Sequence, residues 1–144
     1  MFTRITIALL TWTMSLSAHA AGEWVALADS NSDTTFVNRS AINRDGQTVD
    51  VQVLRNFAET VTLGNDPETG TPMYPHRSVT LTYKVDCDAN RLAVSEWQMF
   101  DGNLATGGLV WDQKNGADLG FIPAVNAEMY AVMRSACATN TVLR

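Results

Sequence analysis

The residues of this chain that could do chemistry are few, and their spacing is informative. Cys87 and Cys137 are its only cysteines and stand 137 − 87 = 50 positions apart, far from the C-x-x-C spacing of a redox pair. Apart from His19 near the start, His76 is the only histidine, so a zinc site of the usual kind lacks ligands. A Ser-His-Asp arrangement would have to recruit His76 from a proline-rich stretch in which no nucleophile motif stands. Asp29-x-Asn31-x-Asp33 opens like a calcium loop. The loop then needs Gly at its sixth place and Glu at its twelfth, where this chain has Thr34 and Ser40. Gly64 to Gly70 lacks the Lys of a phosphate loop. Asp86, Asp88, Asp112 and Asp118 remain as carboxylates that could run hydrolysis without a histidine. Asn38-Arg39-Ser40 matches a glycosylation sequon in form only, and Trp97 and Trp111 read as sheet core before they read as ligand platforms. The sequence therefore assigns no catalytic residue, no metal ligand and no cofactor.

The start of the chain sets the expected compartment. Met1 to Arg4 carries one positive charge, Ile5 to Ser17 is largely apolar, and Ala18-His19-Ala20 supplies small residues where a signal peptidase reads. Residues 1–20 are expected to be a cleaved signal peptide, and residues 21–144 a single domain in the periplasm or on the outer surface. No cysteine stands beside the cleavage point to take a lipid. In an oxidising compartment, Cys87 and Cys137 read as a structural disulfide. Closing a loop of this length contributes about 4 kcal/mol in the chain-entropy model.

Composition narrows the partners. The 144 residues are 46% hydrophobic and 17% charged, and 10 Lys and Arg against 15 Asp and Glu give a net charge of −5. An acidic chain is a poor nucleic-acid binder. Its longest apolar run is the short N-terminal one, so no transmembrane span is expected in the mature chain.

The elements that must position these residues are mostly strands. Glu23 to Asp29 and Thr35 to Val37 are short β-rich runs, and Asp45-Gly46 marks a tight turn into the alternating Val49, Val51 and Val53. Gly64 to Pro75 holds Pro67, Pro72 and Pro75 and reads as an exposed loop. Val79, Leu81, Tyr83, Val85 and Cys87 then fall on one face of a long strand, with Ser78, Thr80, Thr82, Lys84 and Asp86 on the other. Arg91 to Phe100 is its hairpin partner, and Leu109 to Trp111 a last short strand. Val125, Met129, Val132, Met133 and Ala136 change the period to that of a helix. Asn126 can cap it, and Val125 can staple onto Tyr130. Cys137 lies one turn beyond Met133, so a bridge to Cys87 would pin the helix stripe to the inner strand face. The expected fold is α+β: an antiparallel sheet of about six strands with one C-terminal helix packed on one face and held by the disulfide.

The order of these marks resembles the surface-adhesin protein E-like family of secreted bacterial domains. It is carried by Trp24, by Phe36-Val37-Asn38 leading to Ser40-Ala41-Ile42, and by Ser78 to Cys87 with its Asp86-Cys87 ending. Trp97 and Met99 before Asp101-Gly102, then Trp111 and the helix ending in Cys137, complete it. The resemblance covers the mature chain and implies the same sheet, helix and disulfide. It also implies a non-catalytic binding module whose partner is a protein of the host matrix or the envelope. A homodimer is compatible with it. Two other classes stay open from the residues alone: a carboxylate-dependent periplasmic enzyme or accessory, and a binder of a small apolar ligand between helix and sheet.

Overall fold

The computed structural model describes residues 22–29 and 33–138. The expected signal segment lies outside the described residues, as does Asn31 of the acidic triplet. Eight strands form one sheet: β1 Trp24–Asp29, β2 Asp33–Asn38, β3 Asn43–Asp45, β4 Thr48–Val61, β5 His76–Asp86, β6 Arg91–Phe100, β7 Leu109–Lys114 and β8 Ile122–Pro123. Among the described residues one α-helix, α1, spans Ala127–Cys137. The sheet order is β1-β2-β4-β5-β6-β7, with β3 beside β4 and β8 beside β6, and every pairing is antiparallel.

Alternation selects the inner face. Val49 lies opposite Val85, Val51 opposite Tyr83 and Val53 opposite Leu81, and cross-strand partners share a face. Tyr83 is 5% exposed, and Val49, Val51, Val53 and Val85 at most 1%. Gly46, at φ +61°, makes the β3–β4 turn that the Asp45-Gly46 pair predicts. The outer face differs from the sequence reading at one end. Ser78 is fully buried there, because its Oγ donates to the Gly102 carbonyl at 2.6 Å and accepts from Ala105 N at 2.9 Å. The β6–β7 connection thus folds back over the polar side. Further along, Lys84 remains partly open and pairs with Asp50 at 3.2 Å and Asp45 at 3.5 Å.

β6 breaks strict alternation. Thr82 pairs with Glu96 and Tyr83 with Val94, leaving Ser95 as an extra residue, a β-bulge. Ser95 Oγ donates to the Thr82 carbonyl at 3.0 Å, and Asn115 N donates to the Ser95 carbonyl at 2.9 Å. The bulge brings Leu92 and Val94 onto the same inner face as Trp97 and Met99.

The helix is capped by Asn126, whose Oδ1 accepts from Met129 N at 2.9 Å. Met129, Val132, Met133 and Ala136 are buried in one cluster with Val37, Val51, Val53, Leu81, Tyr83 and Val85. The helix lies nearest β4, β1 and β2 rather than centred on β5. The staple does not form: Val125 is 70% exposed and Tyr130 52%. Val125 precedes the helix in extended chain, where neighbouring side chains alternate, and Ala124 takes the inward place. Tyr130 follows Met129 by one residue and so turns off the buried stripe. Cys87 and Cys137 are bonded with their Cα atoms 5.8 Å apart, which ties the end of the helix to the end of β5.

Candidate functional site

The helix covers only part of the inner face. Toward β7 the inner face is less covered: beside the buried Leu81 and Met99, the side chains of Val94, Trp97 and Trp111 are only half-buried. Three rings step outward here. Trp97 stands edge-to-face with Trp111 at a centroid distance of 5.0 Å, and Tyr74 leans on Trp111 at 6.1 Å. Such arrangements are favoured by the ring quadrupoles. The Trp97 indole N–H is enclosed and has no conventional acceptor among the described residues.

Tyr74 has a special backbone. It is 39% exposed and sits at φ +50°, a left-handed conformation that a bulky side chain rarely adopts. Its neighbours enforce this. The Tyr74 carbonyl lies 2.6 Å from His76 Nδ1, and the His76 ring, itself 5% exposed, meets Phe57 edge-on at 5.7 Å. The preceding loop is laced rather than open. Leu63 N donates to the Met73 carbonyl at 3.0 Å, and Met73 N to the Gly64 carbonyl at 2.8 Å. At its tip Asp66 Oδ1 accepts from Glu68 N, Thr69 N and Thr69 Oγ1 at 2.8–3.0 Å. The bonds from Thr69, then that from Glu68, hold the Asp66 carboxyl below its ordinary range. This ladder carries the chain back so that Tyr74 meets Trp111.

At the helix start, Arg55 and Glu128 form an ion pair, with Arg55 Nε and Nη2 donating to Glu128 Oε1 at 2.9 and 2.5 Å. Thr35 Oγ1 donates to Glu128 Oε2 at 3.3 Å. Burial works to lower the Arg55 pKa, but the bond and charge of Glu128 outweigh it and leave it raised. Tyr83 is buried close by, and burial pushes its hydroxyl pKa up, so the hydroxyl stays neutral.

Asp86 and Asp112, two of the carboxylates weighed for hydrolysis, stand far apart on the sheet. Asp86 closes the β5–β6 turn by accepting from Ala89 N at 2.9 Å, and Asp88 is exposed in that turn. Asp112 pairs with Gln98, and Asp86 with Arg91, which is 98 − 91 = 7 residues along β6. Asp118 lies on an exposed segment. Among the described residues no group of three His, Cys, Asp or Glu side chains could hold a metal. Asn38 of the sequon is 7% exposed and bound to Gln52 and Ser40, at 3.0 and 2.8 Å. No helix among the described residues is long and apolar enough to cross a membrane.

Tyr74 and the Ser95 bulge are the features that sequence reasoning missed. Composition hid the first, because φ is not written in a residue type. The second was hidden because a bulge leaves the hydrophobic count of a strand unchanged.

No curated protein matches the chain in sequence. Its fold is similar to two crystal structures of protein E from Haemophilus influenzae. One, a second crystal form, matches with a TM-score of 0.52 at 14% identity over 73% of this chain and 80% of that one. The other, from a non-typeable strain, matches with a TM-score of 0.53 at 16% identity over 90% of this chain and 80% of that one. At such identities the likeness is one of fold. The family model for surface-adhesin protein E matches residues 24–138, from the first strand through the cystine, and the chain belongs to that family.

Proposed function

We propose that this protein is a non-catalytic binding module, exported by its N-terminal segment to the periplasm or the bacterial surface, that engages a protein partner through the open β6–β7 half. The observation that carries the reading is Tyr74, held half-exposed at φ +50° against Trp111. Backbone strain of this kind persists where surrounding structure enforces it, and it gathers at functional positions. Exposed aromatic rings on a stiff support are also the usual anchors of protein interfaces. Family membership supports the same reading, and the separated carboxylates favour it over hydrolysis. With a net charge of −5, the protein suits a partner whose contact face is basic or neutral rather than a polyanion.

The test is crosslinking capture from the native envelope and from matrix proteins, comparing the wild type with Tyr74→Ser and with deletion of residues 66–73. Capture should fall at least tenfold in Tyr74→Ser while the melting temperature stays within a few degrees. Undiminished capture in both variants would overturn the reading. So would turnover of a hydrolase substrate that is lost in Asp86→Asn or Asp112→Asn.

A further inference from the structure

Just past the end of β7 the chain carries Asn115-Gly116, its only Asn-Gly pair, and both residues are exposed. Asn115 fastens the Ser95 bulge. Its Nδ2 donates to the Val94 carbonyl at 2.8 Å, and its backbone N donates to the Ser95 carbonyl at 2.9 Å. Gln113 Nε2 in turn donates to Asn115 Oδ1 at 2.7 Å. One exposed residue therefore holds the two positions at which β6 loses its strict alternation.

The same side-chain amide stands beside a nucleophile. Bonding of the Gly116 backbone nitrogen to Asn115 Cγ closes a five-membered ring, and an attack within one molecule gains from proximity. Gly116 lies outside the strands and helices, and its N–H makes no hydrogen bond among the described residues. Glycine leaves the approach unobstructed, and even a Cβ there would meet nothing within 4 Å, so the backbone has room to turn. The Gln113 donation falls on Oδ1, where negative charge gathers when the amide carbon is attacked. Asn38, Asn90 and Asn103 differ, because each is followed by a bulky residue: Arg39, Arg91 and Leu104.

We propose that Asn115 is a site of spontaneous self-modification, a slow timer that unfastens the bulge. Solvent base takes the Gly116 amide proton and the nitrogen attacks Asn115 Cγ. A succinimide forms as the Cγ–Nδ2 bond breaks and ammonia leaves. Water then opens the ring at one carbonyl or the other, giving aspartate or isoaspartate. One water is taken up and one ammonia released, with no oxidant or reductant. The new carboxylate has no N–H to give the Val94 carbonyl and sets acceptor against acceptor. Isoaspartate also routes the backbone through an added methylene. β6 and β7 form the half assigned to partner binding, so aged protein captures its partner less well. That last consequence, unlike the chemistry, rests on the binding reading.

The purified chain is held at 37 °C at pH 7.4 and pH 9. Peptide mass spectrometry reads each Asn, and labelling by an isoaspartyl methyltransferase reads isoaspartate. Asn115 should convert at least tenfold faster than Asn38, Asn90 and Asn103, and faster at the higher pH. Gly116→Ala, which the open space accommodates, should slow it at least tenfold, and Gln113→Leu about twofold. In Asn115→Asp, which mimics one product, the backbone amide of residue 115 should exchange with deuterium several-fold faster than in the wild type. Equal rates in the wild type and Gly116→Ala overturn the proposal. So does conversion of Asn115 no faster than that of the other three, or tenfold slower in the folded than in the urea-unfolded chain, which would mean that the Val94 bond protects the amide. Unchanged exchange in Asn115→Asp overturns the loosening of the bulge. Partner capture is a separate readout: its failure in every form would sink the binding reading, while mass and exchange still judge the timer.

Discussion

The two halves of this sheet use the same kind of strand to opposite ends. Over β1, β2 and β4 the helix seals the inner face: Val37, Val51, Val53, Val132 and Ala136 are all at 0% exposure. It is held covalently at one end, by Cys87–Cys137, and ionically at the other, by Arg55–Glu128. Toward β7 the same apolar alternation continues with less cover, and Trp97, Val94 and Trp111 are only half-buried. Burial rather than strand chemistry separates the halves. The covered half holds the fold together, and the open half can change its surface at little cost in stability.

That contrast can be broken most severely at the disulfide. Cys137→Ala should cost about 4 kcal/mol in the chain-entropy model, since the cross-link closes a 50-residue separation. Thermal unfolding of the oxidised wild type against the variant measures it, and a loss under about 1 kcal/mol would show that helix packing alone secures the covered half. Next comes Val132→Ala, which opens a void at a fully buried position and should cost on the order of 1–3 kcal/mol by denaturant titration. Glu128→Ala should cost about 1 kcal/mol or less. The Arg55 side chain is 36% exposed, and solvent screens such pairs. Because the Arg55 pKa is raised above its ordinary value, its share of the bond is full at lower pH and is lost only in strong alkali, so this cost should be flat from pH 6 to 9. The smallest effect belongs to the open half. Asp66 titrates below the ordinary carboxylate range, so its hold on the loop tip is complete above that range and fades as acid carries the pH through its lowered folded value. The amide signals of Glu68 and Thr69 should move together in that acid range, with the core signals unchanged.

Much of the covered half is legible in the sequence, because burial on one side writes itself as a period. The alternation from Val79 to Val85 and the spacing of Met129, Val132, Met133 and Ala136 give strand, helix and facing surfaces. The two cysteines give the bond between them. Val125 and Tyr130 were misplaced in that reading, because apolar type and spacing cannot say where the entering chain turns outward. The open half is less legible. The Gly64–Pro75 stretch looks like a loose loop by composition, yet its order comes from backbone bonds and from the Asp66 carboxylate. β8 is only two residues long and pairs with the far end of β6, too short for any periodicity. The inner face of β6 depends on two halves of the strand meeting across one inserted serine, which pattern alone does not reveal.

The sheet order follows the chain order so closely that it carries a kinetic consequence. Each long strand from β4 to β7 pairs with its neighbour in sequence, so the ladder assembles by closing short connections in succession. The helix is different: Glu128 reaches Arg55 across 73 residues and Thr35 across 93. Its docking closes the longest loops of the molecule and belongs to the end of folding, after a sheet exists to receive it. Oxidation of Cys87 and Cys137 is then a late event on a nearly finished surface. Losing the bond should hasten unfolding far more than it slows the assembly of the strands.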